Sequence, residues 1–279
     1  MPKRRDSLWG ASSLTTAPDP TLPGFERNLK PPDYLSPSSI GTWQQCPLKF
    51  KYSRIDKIVD PPTEATTLGN FVHDVLEALL LLPSENRTLA EARRLMREKW
   101  DVEYAEKTID VIGQHNKKIH EFRWRAWWCI ENYFSMENPQ ALTFDGLEDY
   151  VVGSIGKVPM RGYIDRWHRS DEGIVIGDYK TGKTPRPQWR GDKFQQLAIY
   201  ALLLGAIHDE PVSRMELLYL KDGVRLTEPV KEPALVAVAE KIDSVYDELL
   251  ASCASGQFEA KPSRLCDWCS YKSFCPAWV

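Results

Sequence analysis

The octet Gly177-Asp178-Tyr179-Lys180-Thr181-Gly182-Lys183-Thr184 satisfies two chemistries that exclude one another. Gly177, Gly182, Lys183 and Thr184 fit G-x-x-x-x-G-K-[ST], the P-loop spacing in which backbone N–H groups and a lysine cradle a nucleotide's phosphates. Asp178 and Lys180 instead make an Asp-x-Lys pair that closes an apolar, β-branched run. There a carboxylate can hold a hard divalent cation while a lysine acts on a phosphodiester. The flanking residues discriminate. A phosphate cradle must open directly into a helix whose N-terminus faces the anion. Here Pro185 and Pro187 follow Thr184, and an immediate long helix does not accommodate the second proline. No strand ending in a separate Walker-B-like acid is evident either. The cradle match is read as coincidence, and the Asp-x-Lys pair as the chemistry.

Two strands must position that pair. MRGYIDRWHR, the turn SDEG and IVIGDYKT predict a hairpin. Centring its turn on Asp171 and Glu172 sets Asp165 opposite Asp178, Tyr163 opposite Lys180 and Trp167 opposite Ile176. Period-two alternation then puts Asp165, Asp178 and Lys180 on one face. Facing carboxylates repel, so the pair calls for a neutralising cation. Carboxylate oxygens, water and a substrate phosphate suit Mg²⁺ or Mn²⁺. Lys180 would orient or deprotonate an attacking water and stabilise charge on the pentacovalent phosphate. A register slip that leaves a solvated pair is the alternative at this point.

The elements around the hairpin carry further candidates. Lys183, Arg186, Arg190 and Lys193 stand against one acid, Asp192, which makes either a clamp for a phosphate backbone or a solvated loop. In the predicted helix DKFQQLAIYALLLGAI, Gln196 and Tyr200 are four apart and share a face. His73 lies at the edge of a predicted helix that starts after Thr66 or Thr67, runs to Pro83 and buries Leu68, Val72, Val75, Leu76 and Leu79. Before it, Ser36 and Pro37 signal a helix that Pro47 ends just after Cys46. Residues 85–137 read as wholly helical and finish in HEFRWRAWWCIENYF. At helical spacing that aromatic density is core rather than a base-stacking platform. MELLYLKDG reads as a strand and turn, and PALVAVAEKIDSVYDELLASC as a long helix.

The bulk numbers bound the partners. With 279 residues the chain can bury a large core, and a net charge of −3 excludes a blanket polycation. Nucleic acid would therefore need a local basic patch. MPKRRDSLWG has no apolar run behind it, and VLEALLLLP and LAIYALLLGAI are too short to span a bilayer. A cytoplasmic protein with no membrane partner is expected. Six cysteines in such a chain point to metal, cluster or burial rather than disulfides. Residues 1–33, rich in Pro, Ser, Thr and charge, read as a mobile extension.

In chain order, LSPSSIGTWQQCPLKFKY, GNFVHDVLE, RGYIDRW, IGDYKTGK, QQLAIY and CDWCSYKSFC resemble the RecB-like branch of the PD-(D/E)XK nuclease superfamily. That branch includes the CRISPR-associated iron–sulfur exonucleases and the nuclease domain of AddB. The resemblance spans residues 35–275, nearly all of the chain expected to be ordered. It implies an α/β, restriction-endonuclease-like core: a small mixed sheet flanked by helices, with a helical insertion and a cluster-stapled C-terminal tail. The implied domain is 34–279, with a helical part over about 34–140, a catalytic core over about 145–250 and a cysteine-rich tail over about 251–279. It also implies His73, Asp165, Asp178 and the Tyr179 carbonyl as metal ligands, Lys180 as catalytic lysine, and Gln196 and Tyr200 as a Q-x-x-x-Y motif. Ile164-Asp165 replaces the superfamily's name-giving Pro-Asp, a departure common in this branch.

Cys266-x2-Cys269-x5-Cys275, with Cys46 as a remote fourth ligand, would hold a structural [4Fe–4S] cluster. From the residues alone, structural zinc is an alternative. Cys129 and Cys253 are bystanders. The implied activity is Mg²⁺- or Mn²⁺-dependent hydrolysis of DNA, as a single-stranded exonuclease in recombination, repair or replication. With no helicase motor in the chain, unwinding would fall to a helicase or recombination partner. Three rivals stand beside it: a silent DNA-binding or partner-docking subunit, a P-loop nucleotide hydrolase, and an RNA-directed nuclease.

Overall fold

Ser36 caps the first helix, α1 (Pro37–Gln45), by accepting the Ser39 N–H, and Ser39 returns the bond to the Ser36 N–H. Pro47 opens the short α2 (Pro47–Phe50), which runs on through a π turn, Lys51–Ile55. The third helix, α3 (Glu64–Leu80), is capped by Thr63, so it starts earlier than expected. Thr66 serves as the reciprocal partner inside the first turn and not as the cap. The expected continuous helix over 85–137 is interrupted. It comprises α4 (Leu89–Lys99), a π turn at Trp100–Tyr104, α5 (Ala105–Ile112) and α6 (Asn116–Met136). Gly113, at φ +79°, makes the break before α6, a conformation that favours glycine.

This computed structural model describes residues 29–278. The expected extension over 1–33 therefore lies outside the described residues as far as residue 28. From residue 29 the chain is anchored, because the Leu29 N–H donates to the Cys253 carbonyl at 3.1 Å.

Three strands form an antiparallel meander, β1 (Gly146–Ile155), β2 (Val158–Ser170) and β3 (Gly173–Lys180). Helix α7 (Gln195–His208) then crosses over to β4 (Val212–Tyr219), which pairs with β3 in parallel. β5 (Val224–Pro229) returns antiparallel to β4, and α8 (Glu232–Ser255) follows. The result is α/β, a five-stranded mixed sheet in the order β1-β2-β3-β4-β5 with helices on both faces.

Strand alternation divides the core in two. Ile174 and Ile176 of β3 face one cluster, with Ile40 of α1, Leu197 of α7 and Leu249 of α8. Tyr179 of β3 and Leu218 of β4 face the other, with Phe71 and Val72 of α3 and Phe122 and Ile130 of α6. Each fully buried large side chain contributes about 1.5–3 kcal/mol of hydrophobic stabilisation.

The β2–β3 ladder holds Trp167 against Ile176, as expected, but its last pair is Arg166 with Gly177. Tyr163 and Lys180 are not paired, and Asp165 and Asp178 lie beyond the ladder's end. The reason is local. The Asp165 carboxylate takes the Tyr179 N–H at 2.6 Å, while β3 stays paired with β4 as far as Lys180 and Tyr219. The two strands part at the carboxylates. No helix among the described residues is long and apolar enough to cross a membrane.

Candidate active site

Asp178, Lys180 and Gln196 close a ring at the end of β3. Gln196 Nε2 donates to Asp178 Oδ1 at 3.0 Å, and Lys180 Nζ donates to Gln196 Oε1 at 3.3 Å. Lys180 Nζ also stands 2.7 Å from Asp178 Oδ2. The partners fix the amide's orientation, since lysine can only donate and an ionised aspartate can only accept. Asp178 Oδ2 is buried and has the ammonium's charge beside it but no hydrogen bond of acceptable angle. Gln196 thus joins the aspartate and the lysine. Tyr200 sits differently, against Gly162 of β2, where a Cβ would come within 2.6 Å of its Oη.

A second group faces this ring. His73 reaches in from α3, and Glu148 and Asp165 come from β1 and β2. Each offers a ligand atom within 4.8 Å of the other two. The β1–β2 register on either side puts Glu148 opposite Asp165. Glu148 adopts φ +43°, a left-handed conformation that is unfavourable for glutamate and concentrates at functional sites. His73 Nε2 stands 2.9 Å from the Tyr179 carbonyl. A carbonyl only accepts, so Nε2 carries a proton and Nδ1 is the nitrogen turned to Asp165 Oδ2 (3.5 Å) and Glu148 Oε1 (3.7 Å). In this arrangement the carbonyl expected to hold a cation accepts from His73. Asp178 does not join the three-residue group.

Glu148 was not anticipated. The hairpin reasoning that aligned Asp165 with Asp178 would have found it, had it been applied to the turn at Gly156-Lys157. Its positive φ has no signature in sequence.

The electrostatics follow from crowding carboxylates out of water. Burial raises the Asp165 carboxyl, the neighbouring Asp178 charge raises it further, and His73 opposes both, leaving it at about 7. Burial works against a charged His73, but the charge of Asp165 and the hydrogen bond to Glu148 lift it to about 9. Burial likewise opposes the Lys180 charge, and Asp178 overcomes it and raises the lysine. Burial together with Asp178 and Asp165 keeps the Tyr200 phenol firmly protonated. Carboxylates beside one imidazole, with a buried oxygen lacking a hydrogen bond, fit a hard divalent cation.

Of the predicted phosphate contacts, Lys183, Arg186 and Lys193 are exposed, and Arg190 is half-buried with its Nε 3.4 Å from the Pro185 carbonyl. No helix follows Thr184 until short turns at Pro187–Trp189 and Gly191–Phe194, and the Thr184 N–H donates to Asp222. This loop therefore lacks the helix N-terminus that a phosphate cradle needs.

Cys46, Cys266, Cys269 and Cys275 line one cavity together with Tyr52 and Tyr271. Among the described residues, no three of their sulfurs lie within 4.8 Å of one another. Lys261 N–H points at Cys46 Sγ (3.4 Å) and Ser263 N–H at Cys266 Sγ (3.3 Å). Cys129 and Cys253 are buried elsewhere, in separate apolar clusters.

Known proteins align with this picture. The chain is 26% identical over 272 residues to the Gene 69 protein of Mycobacterium phage D29, covering 86% of this chain and 96% of that one. It is 29% identical over 170 residues to one of the subunits of an ATP-dependent helicase/nuclease of Streptococcus pyogenes, covering 57% of this chain but only 13% of that much longer protein. A candidate exonuclease from Eubacterium rectale, solved by crystallography, shares the fold at a TM-score of 0.53 and 14% identity, over 86% of this chain and 88% of that one. The PD-(D/E)XK nuclease superfamily model matches residues 34–276, taking in every element from α1 to the cysteine-rich tail. This chain belongs to the PD-(D/E)XK nuclease superfamily.

Proposed function

We infer that the protein is a divalent-cation-dependent nuclease that hydrolyses DNA phosphodiester bonds, acting as an exonuclease on single-stranded ends. The observation that carries this is the Asp178–Lys180–Gln196 ring set against the His73–Glu148–Asp165 donor group. Asp165, Asp178, Glu148 and His73 would hold Mg²⁺ or Mn²⁺, with the Tyr179 carbonyl joining if His73 rotates away. The ion supplies positive charge that polarises a phosphate and acidifies water. Gln196 holds the Lys180 side chain in place. Lys180, its protonated form favoured by Asp178, meets the developing phosphate charge as a cation rather than as a base. Tyr200 stays neutral and buttresses β2 beneath Asp165. Lys183, Arg186, Arg190 and Lys193 would position the phosphate backbone.

The domain on this reading runs from 34 to 279, and the protein acts in the cytoplasm, where its DNA is. Kinship to part of a helicase/nuclease subunit supports a helicase or recombination partner. The four cysteines would hold a structural [4Fe–4S] cluster. Their common cavity and the N–H groups aimed at two sulfurs support this.

The test uses protein purified without oxygen and end-labelled single-stranded DNA, with and without Mn²⁺ or Mg²⁺, beside Asp178→Ala and Lys180→Ala. Cation-dependent cleavage abolished in both variants is expected. Folded wild type that cuts nothing, or cuts no better than Asp178→Ala, would overturn the reading in favour of a DNA-docking subunit. Iron and sulfide analysis with an absorption spectrum tests the cluster separately.

A further inference from the structure

Helix α6 buries Phe122, Trp127, Ile130 and Tyr133, as helical periodicity predicts, yet leaves Trp124 57% and Trp128 46% exposed. These two indoles are one turn apart on one face, about 6 Å along the axis. Trp128 is not a loose side chain, for its Nε1–H donates to the Lys221 carbonyl at 3.1 Å. Two grooves meet at Trp124. The inner one is lined by Leu68, Trp128, Thr181 and Lys221, and Thr181 directly follows the candidate catalytic Lys180. The outer one is lined by Arg93, Arg97 and Arg123 along with Trp127. Among the described residues no carboxylate lines either groove. In a chain of net charge −3, that segregation is a local feature and not background. Arg93 and Arg123 lie over Trp127 and Trp100, 4.4 and 4.9 Å from the ring centroids, and remain exposed.

We propose that single-stranded DNA runs along α6 into the site, with bases stacked on Trp124 and Trp128 and phosphates facing Lys221, Arg93, Arg97 and Arg123. Its direction into the site rests on the nuclease reading. Stacking on exposed rings with a basic groove alongside is the chemistry of sequence-tolerant single-strand binding. A duplex hides its base faces and cannot use the indoles, so the track selects unpaired strands.

The test measures fluorescence anisotropy of labelled oligo(dT) with the full chain in chelator, so that binding is read without cleavage. Trp124→Ala and Trp128→Ala should each weaken binding about 5- to 150-fold, while the Phe variants retain most of it. The Arg93→Gln/Arg97→Gln double variant should instead flatten the dependence of log K on log salt by about 0.7 for each phosphate left unneutralised, a slope the Trp variants leave unchanged. Wild-type protein that does not bind, or Trp→Ala variants that bind like wild type, would overturn the track even if the protein cleaves DNA. Binding through the indoles without cleavage would keep the track and sink the nuclease reading. Stronger competition by oligo(rU) than by unlabelled oligo(dT) would reassign the groove to RNA and overturn the proposal as stated.

Discussion

Two buried charge clusters lie side by side on the same strands, and they are built on opposite principles. Asp165 and Arg166 are neighbours on β2, and both meet Tyr179 of β3: Asp165 accepts its N–H at 2.6 Å, and the Arg166 guanidinium lies 5.4 Å from its ring centroid. Arg166, 2% exposed, holds Glu137 in a fork at 2.5 and 2.8 Å and reaches Glu216 at 3.2 Å. Arg225 and Arg214 complete the charge balance on those two glutamates. Gly177 makes room, since a Cβ there would stand 2.3 Å from Arg166 Nε. In the neighbouring cluster, Asp165, Asp178 and Glu148 crowd against one lysine and one histidine. Where every carboxylate has its guanidinium partners, the cluster is scaffold. Where carboxylates outnumber their partners and one oxygen has no hydrogen bond, the cluster is a ligand site awaiting positive charge.

That contrast can be broken from either side. Removing Arg166 opens a cavity and leaves two buried glutamates with only the partly exposed Arg214 and Arg225, so Arg166→Ala should cost about 3–5 kcal/mol, read as a lower midpoint in urea unfolding. The carboxylate-rich cluster should respond in rate more than in fold. Asp178→Ala and Lys180→Ala should each lower cation-dependent cleavage by about 10²–10³-fold or more; Asp178→Ala, which relieves the repulsion with Asp165, should keep an unfolding midpoint at or above that of wild type. Glu148→Gln keeps the shape and removes one charge. It should weaken Mn²⁺ binding about tenfold by titration calorimetry and leave some cleavage; undiminished binding would remove Glu148 from the ligand set.

The pH dependence sharpens the same contrast. Asp165 at about 7 and His73 at about 9 retain protons that a cation must displace. Affinity for Mn²⁺ should therefore rise with pH between about 6 and 9, by up to about tenfold per unit for each proton displaced, and level off above. Calorimetry in two buffers of different ionisation enthalpy would count those protons, and binding indifferent to pH would mean neither group is a ligand.

Much of this was legible in the residues. Ser36-Pro37 fixed the start of α1, and the β2 and β3 runs were read nearly to their ends, because caps and β-branched alternation are local signals. The hairpin turn placed Asp165, Asp178 and Lys180 together for the same reason. β5 was missed because an edge strand that buries little beyond Leu226 has almost no apolar pattern. The parting of β2 and β3 was invisible because it depends on a side chain, Asp165, replacing a backbone acceptor. The reading of the α6 aromatics as core held for Phe122 and Trp127 but not for Trp124 and Trp128, which composition alone cannot separate.

The tail's contacts with the opening segment have a consequence in time. Lys261 N–H meets Cys46 Sγ across 215 residues, and the Tyr271 hydroxyl reaches the Ile58 carbonyl in the same region. During synthesis at about 5–20 residues per second, Cys46 would wait about 10–40 s for that partner. Until then its thiol faces the cell's oxidants and metals alone. The sheet can assemble meanwhile, so the closing of this corner is a late event that a chaperone or an oxidant could intercept without touching the rest of the fold.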